Sequence, residues 1–166
     1  MIKVKDNIFL SQKIGIKKKY TNKELKLYQY FYKKTKFFPE YIVVLNHFIF
    51  FFVNNNIYFE AKSYLNSIRK QLEKKVIMIR AENTLIKLLF GFFPDPYIHD
   101  IKIEINDING KKIKTITICF LSFEERGIAI GRRGNYINAV NKLFKNYVIF
   151  KNQNIPIEIK CELIDL

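Results

Sequence analysis

Apolar residues recur along this chain at two spacings, and those spacings divide it into helices and strands. Thr21-Asn-Lys-Glu24 has the form of a capping box, in which a hydroxyl and a carboxylate satisfy free helix N–H groups. It opens a helix to about Lys34 with Leu25, Tyr28, Phe31 and Tyr32 at helical spacing. After Pro39, the short apolar runs Tyr41–Leu45 and Phe48–Val53 flank Asn46-His47 and predict a hairpin. Asn54-Asn-Asn56 interrupts the pattern. A helix follows with Tyr64, Leu65, Ile68 and Leu72 on one face and Lys62, Arg69, Lys70 and Lys74 on the other. Val76–Ile79 has the unbroken apolar character of a buried strand.

The second half continues in the same way. Asn83–Phe90 reads as a helix stopped by Gly91 and Pro94. Ile98–Ile105 and Ile113–Leu121 alternate with period two around Asn109-Gly110, the pair suited to a type I′ hairpin turn. Ser122-Phe-Glu-Glu125 is a second capping box, and its short helix must end at Gly131. A longer helix from Asn135 buries Ile137, Val140, Leu143 and Phe144, and Tyr147–Phe150 and Pro156–Leu163 are strand candidates. The order α-β-β-α-α-β thus occurs twice, with the middle helix of the first copy nearly missing. At an offset of 72 residues, Tyr64 falls on Tyr136, Leu65 on Ile137, Asn66 on Asn138, Ile68 on Val140, Lys70 on Lys142 and Leu72 on Phe144. Internal duplication accounts for this match. The expected organisation is residues 1–20, then a first domain over 21–80 and a second over 81–166, in an α+β fold. Within residues 1–20, Ile8–Leu10 and Ile14–Ile16 fit either a short strand pair or part of a mobile basic arm carrying six lysines.

Charge narrows the function. The 29 basic residues against 15 acidic give a net +14 on 166 residues, which suits a polyanionic partner: nucleic acid or an anionic membrane surface. Each apolar stripe is needed for a core, and no apolar run approaches the roughly 18 residues of a membrane span, so no membrane partner is expected. The N-terminus lacks a signal-peptide core, and the chain reads as soluble and cytoplasmic. Ile, Lys, Asn, Phe and Tyr dominate, as in an AT-rich genome, which leaves the rarer residues more informative. Only five residues are arginine, and three of them (Arg126, Arg132 and Arg133) lie within eight positions.

Catalytic chemistry finds little support. Cys119 and Cys161 stand in strand patterns with no CxxC spacing and read as buried thiols. His47 and His99 lack partners at metal-ligand spacing. No nucleophile elbow, phosphate loop, HExxH or EF-hand pattern occurs, so no enzymatic activity, metal, cofactor or small-molecule substrate is expected.

The arginine cluster contains Ile130-Gly131-Arg132-Arg133-Gly134, a GxxG loop between two helices. Glycines allow the backbone to approach a sugar-phosphate chain closely. The N-terminus of the following helix presents N–H groups and a positive dipole to phosphates. Two arginines at the tip add permanent charge with bidentate geometry. This is the arrangement by which KH domains clamp about four nucleotides of a single strand. The candidate RNA-binding residues are Arg126, Ile130, Gly131, Arg132, Arg133, Gly134, Asn135, Asn138 and Lys142. A plain αα-corner with solvated arginines is the bland alternative.

The stretch from Phe120 to Ile137, with its acidic pair Glu124-Glu125 and then Arg126-Gly-Ile-Ala-Ile-Gly-Arg-Arg-Gly134, resembles the second KH domain of the NusA transcription factor family in its short archaeal form. Arg80–Phe90 resembles the linker helix between that family's two KH domains, and Thr21–Phe31 its opening helix. The resemblance implies two tandem type II KH domains and single-stranded RNA binding during transcription elongation, termination or antitermination, with RNA polymerase or the ribosome as a further partner. The sequence departs from the family in two places. The 72-residue register puts Phe59-Glu-Ala-Lys62 where the first domain's GxxG would stand, so that half is expected to be a structural copy with little RNA affinity. The family's asparagine after the loop is Tyr136, with Asn135 one place earlier, and the length leaves no room for the polymerase-docking and S1 domains of bacterial members. A ribosome-associated KH protein that binds rRNA, and a protein-interaction scaffold, are the competing readings.

Overall fold

In a computed structural model, residues 4–150 and 155–164 are described. The chain opens with α1 (Val4–Leu10) and β1 (Ile14–Ile16). It continues through α2 (Asn22–Thr35), β2 (Tyr41–Leu45), β3 (Phe48–Val53), α3 (Tyr58–Lys62), α4 (Leu65–Gln71) and β4 (Lys75–Arg80). Then follow α5 (Leu85–Phe92), β5 (Asp100–Ile108), β6 (Lys111–Phe120), α6 (Phe123–Ile130), α7 (Asn135–Asn146), β7 (Val148–Phe150) and β8 (Ile157–Leu163). Helices and small mixed sheets of this kind are compatible with the α+β class. Two compact units result: Ile16–Asn83, and a second that joins Thr84–Leu166 to the segment before Ile16.

The Ile16–Asn83 unit holds a three-stranded sheet in the order β2-β3-β4. β2 and β3 pair antiparallel through the Asn46-His47 turn, and β3 pairs parallel with β4. The turn works because Asn46 adopts a left-handed φ of 48°, which asparagine tolerates. As the central strand, β3 is buried along its whole length, and this explains why Phe48–Val53 is apolar without alternation. Ile49, Phe51 and Val53 pack in one cluster with Phe31 of α2, Tyr58 and Ala61 of α3 and Ile68 of α4. The rings of Phe31 and Phe51 meet at 4.8 Å.

The second unit repeats the topology with the order β5-β6-β8, antiparallel then parallel. Asn109 (φ 52°) and Gly110 (φ 79°) make the two-residue turn that their sequence predicts. Only the C-terminal half of β6, Thr115–Phe120, is buried; the turn end of the hairpin carries exposed Ile105 and Ile108. Leu88, Leu89 and Phe92 of α5, Val140, Leu143 and Phe144 of α7, and Ile159 of β8 are buried here, with Phe92 and Phe144 rings 5.6 Å apart.

Three local expectations are revised. Residues 8–10 are helical and not a strand; the last turn of α1 buries Leu10, and Lys114 lies over the Phe9 ring at 3.8 Å, so this end of the expected basic arm is packed. Residues 14–16 do form a strand, paired with β7. The Thr21 hydroxyl bonds the Glu24 carboxylate itself, so the first capping box closes on its own side chains and not on the backbone. In the second box, Ser122 Oγ accepts from Glu125 N at 3.1 Å as expected, while Glu125 Oε1 accepts from Tyr97 N at 3.2 Å.

Candidate functional site

The Gly131–Gly134 corner owes its shape to backbone conformations that few residues adopt. Gly131 terminates α6 at φ 79°, ψ 171°, a region essentially restricted to glycine. Its N–H still bonds Gly127 O at 2.9 Å, closing the last turn of α6. A single 3-10 turn, Arg132–Gly134, follows, with Arg133 at φ 55° and Gly134 at φ 72°, both left-handed. The chain reverses within four residues because three of them take positive φ.

Tyr136 explains why the first glycine is needed. A Cβ on Gly131 would stand 2.6 Å from Tyr136 Cβ and 3.1 Å from Tyr136 N. Tyr136 has little room to give way. Its hydroxyl donates to Phe92 O, and its ring meets Phe93 edge-on at 6.0 Å. Burial, with Asp95 and Cys161 nearby, pushes the Tyr136 phenol well above its usual pKa, so it remains a donor. The position where the family pattern has asparagine therefore holds a tyrosine whose backbone beside Gly131 is anchored through Phe92 and Phe93. A Cβ on Gly134 would meet only Asn138 Nδ2 at 3.8 Å, leaving that side of the loop open.

The sequence-predicted residues outside the two glycines separate into four groups. Arg132 and Arg133 are exposed at the tip, with no carboxylate partner among the described residues. Asn135, Asn138 and Lys142 are exposed on α7 at positions i, i+3 and i+7, so they continue one face away from the loop. Ile130 is half-buried beside fully buried Ala129 and serves the core as much as the surface. Arg126 is set apart: its Nε donates to Cys161 O at 3.2 Å, which ties α6 to β8.

The turn uses some of the donors expected for anions. Gly134 N bonds Gly131 O at 3.1 Å, and Asn135 N bonds Arg132 O. No side chain caps α7 at its N-terminus, so the dipole of this 12-residue helix is not offset by a capping carboxylate. Dipole, two arginines and an open Gly134 together make a surface suited to a phosphodiester chain.

One residue of the site was missed. Asn141 donates from Nδ2 to Ile159 O at 3.0 Å and accepts from Ile159 N at 2.7 Å. These bonds fix α7 against the outer edge of β8. The signal was present at the 72-residue offset, where Asn141 falls on Arg69. Arg69 Nε donates to Val76 O at 3.0 Å, which is the same helix-to-strand tie in the other unit. Ile68 and Val140, one position before each, are both fully buried.

That agreement also locates an error in the register. Phe59-Glu-Ala-Lys62 does not occupy a loop; these residues are helical in α3, and the corner falls at Ser63-Tyr64. Ala61 is fully buried, as Ala129 is in α6. The two copies match along α4 and α7, but the corner before α4 is shorter, so a constant offset misplaces everything ahead of it. Phe59 is 70% exposed, and the Arg80 guanidinium lies over the rings of Tyr58 and Phe59 at 4.6 and 4.9 Å.

Cys119 and Cys161 are buried free thiols, and burial pushes the Cys161 thiol up to about 12 against a smaller opposing effect of Arg126. Among the described residues no cluster of His, Cys, Asp or Glu could hold a metal ion, and no helix is long and apolar enough to cross a membrane.

No family model and no curated protein matches this chain. Among solved structures, the crystal structure of APE1850 is similar in fold. The likeness has a TM-score of 0.60 and covers 86% of this chain and 99% of that one, at 20% sequence identity. What the comparison shows is a shared mixed α/β architecture.

Proposed function

We propose that this protein binds single-stranded RNA through the Gly131–Gly134 loop and α7, as a tandem KH protein of the NusA-like kind that acts during transcription elongation or termination. The observation that carries the reading is the loop itself. Two glycines hold a reversal between helices, and two arginines with no carboxylate partner among the described residues are exposed at its tip, beside a helix N-terminus that no side chain caps. The α-β-β-α-α-β order in both units, each with an antiparallel then a parallel strand pair, is what the resemblance implies for two type II KH domains. Net charge of +14 supports a polyanionic partner. RNA polymerase and the ribosome belong to the proposal as further partners, which co-sedimentation of lysate at high salt separates: a ribosomal protein stays with the subunits.

The direct test is Arg132→Asp/Arg133→Asp, measured by fluorescence anisotropy on a labelled 12-nucleotide single-stranded RNA. Loss of charge-assisted hydrogen bonds at about 1.5–3 kcal/mol each predicts at least a tenfold weaker complex. Circular dichroism should be unchanged because both side chains are solvated. Wild-type affinity in the folded double variant overturns the assignment of the loop.

A further inference from the structure

Charge and the GxxG loop do not coincide in this molecule. The Ile16–Asn83 unit, which lacks the loop, has 14 basic and five acidic residues, a net +9. The unit with the loop has 15 and ten, a net +5. A half kept only for packing has no need of the larger share of positive charge.

The same unit carries an aromatic cleft of about 540 Å³, lined by Lys18 and Tyr20 before α2, Leu25 and Tyr28 on it, and Phe38, Glu40 and Tyr41 at the entry to β2. That size lies within the range of natural ligand sites, roughly 300–1,000 Å³. Tyr20 is 62% exposed and Phe38 58%, so both rings stand largely in solvent. Phe38 is held in place from outside the cleft by Tyr32, whose ring stacks on it at 4.4 Å and 12°. Tyr28 is anchored by a hydrogen bond from its hydroxyl to Glu40 O at 3.3 Å. Positive charge rims the aromatic surface: Lys18 Nζ lies 5.2 Å from the Tyr41 ring centre, and Lys17 and Lys19 flank it in sequence. Glu40 also lines the cleft and accepts from Asn54 Nδ2 at 2.9 Å, while Glu24 accepts from the Thr21 hydroxyl, so the lysines outnumber the carboxylates at this surface.

We propose that this cleft is a second nucleic-acid site, in which an unpaired RNA base stacks on Tyr20 and Phe38 while Lys17 and Lys18 contact the adjoining phosphates. The proposal rests on the RNA-binding reading above and locates a further contact of that partner on the other unit. Pre-oriented rings bordered by lysines are the combination by which proteins hold single strands without reading sequence, since every base has a π-face. An aromatic groove also suits a polyproline segment, but such a ligand gives no use to a lysine run. Charge complementarity favours the polyanion.

The test uses the full chain and a labelled 12-nucleotide oligouridine, with decaproline as the competing probe. Tyr20→Ala/Phe38→Ala should weaken oligouridine binding roughly 5- to 100-fold, the cost of lost base stacking. Tyr20→Leu/Phe38→Leu, which keeps apolar bulk without rings, should lose as well. An oligomer made abasic should bind wild type more weakly and show no further loss with either variant. If wild type binds oligouridine, Arg132→Asp/Arg133→Asp weakens it and both cleft variants bind normally, this proposal is overturned while the loop assignment stands. If wild type does not bind oligouridine, both fall together. Saturable decaproline binding that the cleft variants lose, with oligouridine affinity unchanged, assigns the cleft to a peptide and overturns the proposal.

Discussion

Three glycines around the candidate loop should respond to the same substitution with different signs and sizes, because their backbones and neighbours differ. Gly131→Ala combines two penalties. The residue sits at φ 79°, ψ 171°, where a side chain costs roughly 1–3 kcal/mol. The new methyl also falls 2.6 Å from Tyr136 Cβ, and relieving that contact must move a residue bonded to Phe92 O, at a further cost of about 1–3 kcal/mol. The sum, about 2–6 kcal/mol, is a large fraction of the ~5–15 kcal/mol by which domains are stable. Gly134→Ala pays only for a left-handed backbone, roughly 1–2 kcal/mol, since its methyl meets nothing closer than 3.8 Å. Gly127→Ala, within α6 and in open space, should stabilise by about 0.5–1 kcal/mol because alanine loses less backbone freedom on folding. Urea unfolding followed by far-UV circular dichroism should place the midpoints in the order Gly131→Ala, Gly134→Ala, wild type, Gly127→Ala. A Gly131→Ala midpoint equal to that of Gly134→Ala would refute the loop geometry and the close approach of Tyr136 to Gly131.

Other consequences follow from buried contacts. Asn141→Ala removes both hydrogen bonds to Ile159 and should cost about 1–3 kcal/mol in urea unfolding, and a neutral result would show that the α7–β8 tie is not formed. Leu10→Ala, at a 1% exposed position, should cost about 2–5 kcal/mol if the N-terminal helix is packed as described; an unchanged midpoint would restore the mobile arm. Cys161 has a folded pKa of about 12 against 9.0 for a free thiol, so its contribution is intact below pH 9 and is lost as pH rises from 9 towards 12, where the unfolded thiol ionises first. Alkylation by iodoacetamide at pH 8 should accordingly be slow in native protein and fast in urea, and equal rates would place the thiol at the surface.

Much of this molecule was legible from local pattern. The Asn109-Gly110 turn, the Ser122 cap, the unbroken run of β3 and the helical face of α7 follow from short-range chemistry, in which a residue's neighbours along the chain dictate its backbone. The GxxG corner was legible for the same reason, since glycine marks the backbone conformation that it permits. The corner before α4 was misplaced because a constant offset carries no information about where a copy has shortened; only the buried pairs Ala61 and Ala129, and Ile68 and Val140, reveal it.

What the sequence determined by itself was the order of elements from α2 onward, the sign of the charge and the loop with its two exposed arginines. Tertiary structure alone decided which polar side chains remain available. Arg126 and Arg132 look equivalent in the sequence, but one is drawn to the Cys161 carbonyl on a strand 35 residues away while the other stays in solvent. Tyr136 is a departure from a motif in the sequence, but in the fold its hydroxyl reaches Phe92 O and its ring meets Phe93, and Tyr20 and Phe38 become a surface only where α2 and β2 bring them to one cleft. Long-range contacts depend on how separate segments pack, and no window along the chain contains both partners.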